Sequence, residues 1–211
     1  MSPAGAERRR LRVRGTVQSV GFRPFVFRTA VALGLSGWVE NDSEGVLIEA
    51  EGSPAALDEL ARSLAERPPP LALVTSVEAN VLGPTGDGGG FIVRESRAVG
   101  PPAVAVSVDV ATCAGCLAEM DDPADRRYRY PFINCTNCGP RYTIITAVPY
   151  DRAATTMAGF TMCAGCRREY DDPADRRFHA EPTACGVCGP ALSWRAPAGE
   201  VLAAGDDALV A

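Results

Sequence analysis

The sequence contains no lysine, a single histidine and no long apolar run, and these absences narrow the possible functions before any motif is considered. All 21 basic residues are arginines, against 26 acidic residues, and the formal net charge is −5. An acidic chain of this kind lacks the basic surface typical of proteins that bind nucleic acid. No stretch approaches the roughly 18 apolar residues of a membrane span, and the N-terminus has no apolar segment typical of a signal peptide. We therefore expect a soluble, cytoplasmic protein that binds neither nucleic acid nor a membrane.

The sequence does contain enough apolar residues for packed cores and an even number of cysteines. With 211 residues, of which 46% are hydrophobic, the chain is long enough for one or two domains. There are eight cysteines. In a reducing compartment, paired cysteines bind metal more often than they form disulfides.

Between residues 8 and 97 the hydrophobic pattern alternates between the periods of strands and helices. Leu11 and Val13 alternate with arginines, which is typical of a half-buried strand. Pro24 suits the first position of a helix that ends near Gly34. The same reasoning predicts strands over 36–41, 46–51, 74–82 and 91–95 and a helix over 53–66. The resulting order is βαββαβ followed by a further strand, and we predict an α+β, ferredoxin-like domain over 8–97.

Beyond a Pro- and Ala-rich stretch at 98–106, which we interpret as a linker, the sequence repeats itself with a period of 50 residues. The segment Cys113-Ala-Gly-Cys116 recurs as Cys163-Ala-Gly-Cys166. This self-similarity predicts two copies of one small unit. We place the module at 107–195, its units at about 109–145 and 159–195, and a further linker at 196–211.

Each unit contains the pattern C-x2-C-x18-C-x2-C, which has the spacing of a structural zinc site. Four thiolates fill the coordination sphere of zinc, so we expect two structural ions and no catalytic one. Either each unit holds its own ion or the pairs interleave, and we favour the first arrangement because each unit is then complete. The predicted ligands are Cys113, Cys116, Cys135, Cys138, Cys163, Cys166, Cys185 and Cys188.

Outside the cysteines, the module offers little chemistry that the sequence can identify. Its ten arginines are outnumbered by eleven acids, and two four-thiolate zinc centres would add about −4, which argues against DNA binding. We interpret both copies of Asp-Asp-Pro-Ala-Asp-Arg-Arg, at 121–127 and 171–177, as turns leading into solvated helix starts. His179 is interpreted as a surface or packing residue.

The connection after the first strand has the composition of an anion-binding loop. Residues 18–22 can curl so that several backbone N–H groups point inward, and Gly21 permits the sharp bend. Arg23 precedes Pro24, which disfavours an α conformation at the arginine and places a fork of donors at the junction of loop and helix. The alternative is an ordinary turn with a surface arginine.

The pattern Gly15-x-Val17-Gln18-x-Val20-x-Phe22-Arg23, followed by Trp38-Val39-x-Asn41, resembles the acylphosphatase signature across nearly all of residues 8–97. Ser19 departs from the glycine that many relatives have there. The resemblance implies that Arg23 and the amides of the loop bind the phosphate of an acyl phosphate. It also implies that Asn41 orients the attacking water, although Asn41 alone could equally be a turn residue. The implied phosphate-binding set is Gln18, Ser19, Val20, Gly21, Phe22 and Arg23.

The segment Gly-Phe-Arg-Pro-Phe at 21–25, together with the cysteine array, resembles the N-terminal part of HypF-type carbamoyltransferases, which act in NiFe hydrogenase maturation. The resemblance implies carbamoyl phosphate as substrate, with carbamate and phosphate as products. In that family a YrdC-like domain then uses ATP, and the carbamoyl group passes to a HypE-type partner. Here there is no P-loop, and we expect those later steps to reside in a part of the enzyme that this sequence lacks.

Two other functions remain open at this point. One is a zinc-dependent interaction scaffold whose first domain binds phosphate without turnover, and the other is a general acylphosphatase. If zinc only holds the second module together, hydrolysis is expected to survive chelation.

Overall fold

The structure is a computed structural model that describes residues 5–86, 88–97, 108–205 and 207–210. The linker predicted at 98–106 lies outside these residues. Among the described helices, none combines the length and the apolar character needed to cross a membrane.

The first half of the chain forms a five-stranded sheet with two helices. The strand order is β4-β1-β3-β2-β5, and β5 runs parallel to β2 while the other neighbours are antiparallel. This arrangement confirms the predicted ferredoxin-like fold. The elements are β1 (Glu7–Thr16), α1 (Phe22–Ala32), β2 (Ser36–Asp42), β3 (Gly45–Gly52), α2 (Pro54–Glu66), β4 (Leu73–Leu82) and β5 (Phe91–Val93).

A single apolar core joins the sheet to both helices. The inward side chains of β1, Leu11 and Val13, are fully buried, as their alternation with arginines predicts. Helix α2 adds Leu57, Leu60 and Leu64, which recur at the spacing of one helical face. The core therefore holds the backbone on either side of the loop at 18–21.

Helix α1 begins two residues earlier than the sequence predicts. It starts at Phe22, so Arg23 lies inside its first turn and Pro24 occupies the third position. The N–H groups of a first turn have no intrahelical acceptor, so a proline there removes no hydrogen bond. At the other end, Gly34 adopts φ 66° directly after the helix, in agreement with the predicted stop.

The second half of the chain contains short elements around its cysteines. Helices α3 (Ala114–Asp121) and α4 (Ala164–Asp171) each begin directly after the first cysteine of a unit. Short 3-10 turns lie between the units. Strands β6 (Ser193–Arg195) and β7 (Val201–Ala204) form a hairpin, followed by α5 (Asp207–Val210), so the segment interpreted as a linker at 196–211 contains regular structure.

Candidate anion site and cysteine clusters

The loop between β1 and α1 has an unusual backbone. Ser19 (φ 65°) and Gly21 (φ 74°) both adopt left-handed conformations, which Gly21 does readily and Ser19 does at some cost. Within the described part of the chain, the amides of residues 19–23 donate no hydrogen bond to another protein group. A curled loop with free amides that leads into a helix N-terminus is a favourable place for an anion.

The side chain of Gln18 fixes this loop from behind. Its Nε2 donates to the carbonyls of Asp42 (2.7 Å) and Gly45 (2.9 Å), which flank the turn between β2 and β3. Its Oε1 accepts from the amide of Tyr150 at 3.2 Å, in the segment between the two cysteine units. Gln18 thus joins the loop to both halves of the molecule through its side chain.

Arg23 is buried and is held by two acids from the second half of the chain. Its Nη1 lies 2.8 Å from Asp151 Oδ1, and its Nη2 lies 2.7 Å from Glu181 Oε1. Burial opposes its charge, but the carboxylates of Glu181 and Asp151 outweigh that effect and raise the pKa of Arg23. Neither acid was predicted from the sequence.

The carboxylate of Glu181 accepts from three donors. Besides Arg23, its carboxylate accepts hydrogen bonds from the Tyr170 hydroxyl (2.8 Å) and the Arg152 amide (2.9 Å). Burial raises its pKa, although Arg23 opposes this shift. Its carboxylate therefore combines burial with a fixed geometry.

Asn41 lies in β2, opposite Val46, and is only 1% exposed. Its Oδ1 is buried without a hydrogen-bond partner among the described residues, and so is the Tyr150 hydroxyl. Both side chains line one cavity with Arg23, of about 20 Å³, which is enough for a single water. Buried polar atoms are ordinarily satisfied, so these two indicate a place for a water or a ligand group.

Five of the predicted site residues line this cavity, whereas two do not. Val20 is fully packed in the apolar core, and Gln18 acts through its side chain from behind the loop. The interpretation of Asn41 as a turn residue is wrong, because the turn comprises residues 43–44. The five that line the cavity are Ser19, Gly21, Phe22, Arg23 and Asn41.

The eight cysteines form two clusters, and each cluster contains the four cysteines of one unit. This is the sequential grouping favoured above. In the first unit the Cys113–Cys135 and Cys135–Cys138 sulphur distances are 3.7 and 3.9 Å. The second unit gives 3.9 Å for Cys163–Cys185 and 3.6 Å for Cys166–Cys188. A tetrahedral ion with metal–sulphur bonds near 2.3 Å requires about 3.8 Å between sulphurs, so both donor sets fit a metal ion.

The two units exchange arginines, which corrects the interpretation of the Asp-Asp-Pro-Ala-Asp-Arg-Arg copies as solvated. Arg126 of the first unit donates to the sulphurs of Cys163 and Cys166 in the second, both at 3.0 Å. Arg176 of the second unit lies 3.2 Å from the sulphur of Cys116 in the first. The thiolates attract these guanidinium groups, because each cluster concentrates negative charge.

The arginines that follow in each copy are fully enclosed. Arg127 is 1% exposed, donates to the carbonyl of Ala184 at 2.8 Å and pairs with Glu169. Arg177 is 3% exposed and pairs in the same manner with Glu119 across the units. The Arg177 and Arg176 guanidinium groups outweigh the burial of Glu119 and lower its pKa to about 2.

Comparison with known proteins agrees with this architecture. A model of the acylphosphatase family matches residues 9–93, and one of the HypF finger matches residues 112–145 and 162–195. A carbamoyltransferase HypF2 from Cupriavidus necator is 56% identical over 152 residues, which cover 72% of this chain and 19% of that protein. An acylphosphatase from Caldivirga maquilingensis is 47% identical over 87 residues, or 40% of this chain and 90% of that protein.

A solved full-length HypF in a phosphate- and nucleotide-bound form superposes with a TM-score of 0.84 at 45% identity, covering 91% of this chain and 26% of that one. The chain thus spans about a fifth of the length of the curated carbamoyltransferase quoted above. It belongs to the acylphosphatase family, and it joins to that domain a pair of HypF fingers.

Proposed function

We propose that the first domain hydrolyses carbamoyl phosphate to carbamate and phosphate, as the first step of carbamoyl transfer in NiFe hydrogenase maturation. Arg23 and the free amides of the loop at 19–22 hold the phosphate group. Asn41 orients the attacking water, and a phosphate oxygen of the substrate accepts the proton of that water. The protein contributes mainly position and charge.

The unpartnered oxygen of Asn41 carries this proposal. A buried carboxamide oxygen that accepts no hydrogen bond from the described residues is suited to accept one from a water held beside the phosphate. Arg23 lines the same cavity, so the anion-binding and water-orienting groups converge on one place. The solved HypF quoted above is named as phosphate-bound, which fits an anion as ligand.

We further propose that each cysteine cluster binds one zinc ion in a structural role. The four thiolates of a cluster occupy all positions of a tetrahedral ion, which leaves none for water or substrate. When bound, zinc would hold the two CxxC segments of a unit together. Metal analysis of the purified protein is expected to give two zinc ions per chain.

In the longer carbamoyltransferases, the carbamate would pass to an ATP-using domain and then, as a carbamoyl group, to a HypE-type maturation protein. These later steps lie outside this chain, which spans only about a fifth of such relatives. The chain itself is expected to need only carbamoyl phosphate and water.

The test is phosphate release from carbamoyl phosphate by the wild type, Arg23→Ala and Asn41→Ala. Losing either group is expected to reduce release by at least a hundredfold, in the range of preorganised electrostatic groups. Arg28→Ala, on the exposed face of the same helix, is the matched control and should keep the wild-type rate. Release by Arg23→Ala at the wild-type rate would contradict the proposal. Acetyl and benzoyl phosphates, tested alongside, would establish the acyl preference.

One observation favours the scaffold as a second candidate. Both terminal nitrogens of Arg23 are engaged by carboxylates, and a site held closed in this way could bind phosphate weakly without turnover. Phosphate binding by the wild type without any release from carbamoyl phosphate would support the scaffold.

A further inference from the structure

The acids that hold Arg23 belong to neither the acylphosphatase domain nor the cysteine clusters, and they differ from one another. Glu181 is 2% exposed and is fixed by three donors, whereas Asp151 is 26% exposed. Among the described residues, the second oxygen of Asp151 accepts a hydrogen bond only from the amide of Ser96, at 3.0 Å. Asp151 can therefore leave Arg23 by turning toward solvent, but Glu181 cannot do so without breaking buried hydrogen bonds.

We propose that the second half of the chain completes the anion site. Glu181 is a positioning residue that holds Arg23 through Nη2, and Asp151 is an exchangeable carboxylate that the phosphate group of the ligand replaces at Nη1. The ligand class, an acyl phosphate, rests on the proposed function, but the exchange requires only an oxyanion of phosphate type.

The phosphate and Asp151 are expected to compete for Arg23, because the guanidinium group is already occupied. A phosphate and the Asp151 carboxylate compete for Nη1, because two anions brought to one guanidinium nitrogen repel each other at close range. The cavity of about 20 Å³ holds one water but not the five heavy atoms of a phosphate. Entry of the anion therefore requires a group beside Arg23 to move, and Asp151 is the more exposed of the two ion-pair partners of Arg23.

The difference between the two repeats supports this role independently. Arg129 (φ 55°) and His179 (φ 51°) occupy equivalent positions with the same left-handed backbone. The residues from there on differ, however: Arg-Tyr-Pro-Phe at 129–132 corresponds to His-Ala-Glu-Pro at 179–182. All four residues of the second set line the cavity beside Arg23, and none of the first set does. The second repeat thus keeps the backbone of the first but presents different chemistry to the anion site.

The acylphosphatase family model matches residues 9–93, so Asp151 and Glu181 both lie outside that domain. Because Glu181 fixes Nη2 and Asp151 covers Nη1, entry of the substrate depends on the position of the second half of the chain.

The experiment is a calorimetric titration with inorganic phosphate of the wild type, Asp151→Asn, Glu181→Gln and the control Asp171→Asn. Asp171 is 57% exposed and pairs with Arg167 at 3.8 Å. Asp151→Asn is expected to bind phosphate about tenfold more tightly, since the competing charge is gone. A purely structural role for Asp151 predicts the opposite sign, so damage to the fold cannot imitate this result.

Glu181→Gln keeps the shape of the side chain but removes the charge that fixes Arg23. We expect phosphate release from carbamoyl phosphate to fall about tenfold in kcat with KM changed less than threefold, while the zinc content stays at the wild-type level. Asp171→Asn should match the wild type in every measurement.

Each outcome decides the proposal. Phosphate binding by Asp151→Asn that is equal to or weaker than that of the wild type, or no binding by either, overturns the exchange. Wild-type kcat in Glu181→Gln overturns the positioning role. If the wild type releases no phosphate from carbamoyl phosphate, the hydrolysis proposal fails, but the titration still decides whether Asp151 competes for Arg23.

Discussion

The two halves of this chain reach a defined structure by different physical means. The acylphosphatase domain buries a continuous apolar core that includes the branched side chains of β1, β3 and α2. The half that contains the fingers has only small clusters, in which cysteines are prominent members. It relies instead on its sulphur clusters and on buried arginines that cross between the units.

The two halves therefore differ in the source of their folding free energy. Burial of apolar area stabilises the first half without any ligand. In the second half, most of the free energy of folding is expected to come from metal binding, because a small unit without a sizeable core is unstable alone. The halves meet at Arg23, where the packed domain supplies the cation and the metal-dependent half supplies the anions.

Metal removal is the change with the largest expected effect. A strong chelator should unfold residues 108–195 and leave the sheet of the first domain intact, because only the former depend on thiolate–metal bonds. Hydrogen exchange read by mass spectrometry would show complete loss of protection in α3 and α4 and near-native protection in β1 and β3. An equal loss of hydrogen-exchange protection in both halves would contradict the conclusion that only the second half depends on metal.

Chelation is also expected to change the rate of phosphate release, although hydrolysis itself should survive, as expected from the sequence. The loss of Glu181 and Asp151 from around Arg23 removes one positioning group and one competitor. The same chelator added to a protein already carrying both the Asp151→Asn and Glu181→Gln changes should have a smaller effect.

Replacement of Arg127 by methionine is the next largest change. Arg127 belongs to the first unit but lies against Glu169 and the Ala184 carbonyl of the second. Its loss leaves a carboxylate poorly compensated, and we expect the metal affinity of the second cluster to fall by about 10- to 100-fold.

The measurement is alkylation of cysteines during slow metal release, read by peptide mass. Cys163, Cys166, Cys185 and Cys188 should react earlier than in the wild type, and clearly before the cysteines of the first unit. The exposed Arg167→Ala is the matched control. Earlier reaction of the first unit alone would contradict the exchange between the units.

Leu57→Ala tests the contribution of apolar packing to the stability of the first domain. The side chain is fully buried in α2, and the cavity it leaves should lower the free energy of unfolding of the first domain by about 3 kcal/mol. Leu73→Ala, at a position 66% exposed, should change it by less than about 0.5 kcal/mol. Denaturant unfolding followed by the β-sheet signal would measure both, and zinc content should not change in either variant.

His179 gives the smallest expected effect, a pH dependence confined to the second half. Burial and the nearby Arg23 charge lower its pKa from 6.5 to about 4, against a weaker opposing effect of Asp151. Between these values the unfolded chain binds the proton and the folded chain does not. The stabilisation is therefore present in full above pH 6.5 and is lost as the pH falls toward 4.

At about 1.4 kcal/mol per pKa unit, lowering the pH from 6.5 to about 5 is expected to reduce the unfolding free energy by about 2 kcal/mol. His179→Gln should remove this slope from the unfolding free energy of the second half. Because the thiolates protonate in both proteins, the difference between the two pH profiles isolates the histidine. Parallel profiles would show that the fold does not lower the pKa of His179.

The sequence predicts the first domain well because its signals are local. The alternation at Leu11 and Val13, the leucine stripe of α2 and the stop at Gly34 each depend on neighbours within one element. The sequential grouping of the cysteines is predictable for a similar reason, since each unit carries a complete set of four. The start of α1 was misplaced because a proline is tolerated anywhere in a first turn.

The partners of Arg23 could not be predicted, because Asp151 and Glu181 are more than a hundred residues away in sequence and follow no spacing rule. A signal was nevertheless present in the mismatch between 129–132 and 179–182 within otherwise similar repeats. The buried Arg127 was misjudged for a related reason. A charged motif in a turn is usually solvated, and only the assembled pair of units supplies its carboxylate and carbonyl partners.

The exchange of arginines between the two units also suggests how the pair evolved. Arg126 reaches the second cluster and Arg176 reaches the first, so each unit gives to its neighbour what it receives. This reciprocity is the mark of an isologous dimer, in which one surface patch contacts its own copy. Tandem duplication of a single self-pairing finger would preserve that symmetry inside one chain. Covalent joining would also allow the two copies to differ, so that one carries a carboxylate for the neighbouring domain and the other does not.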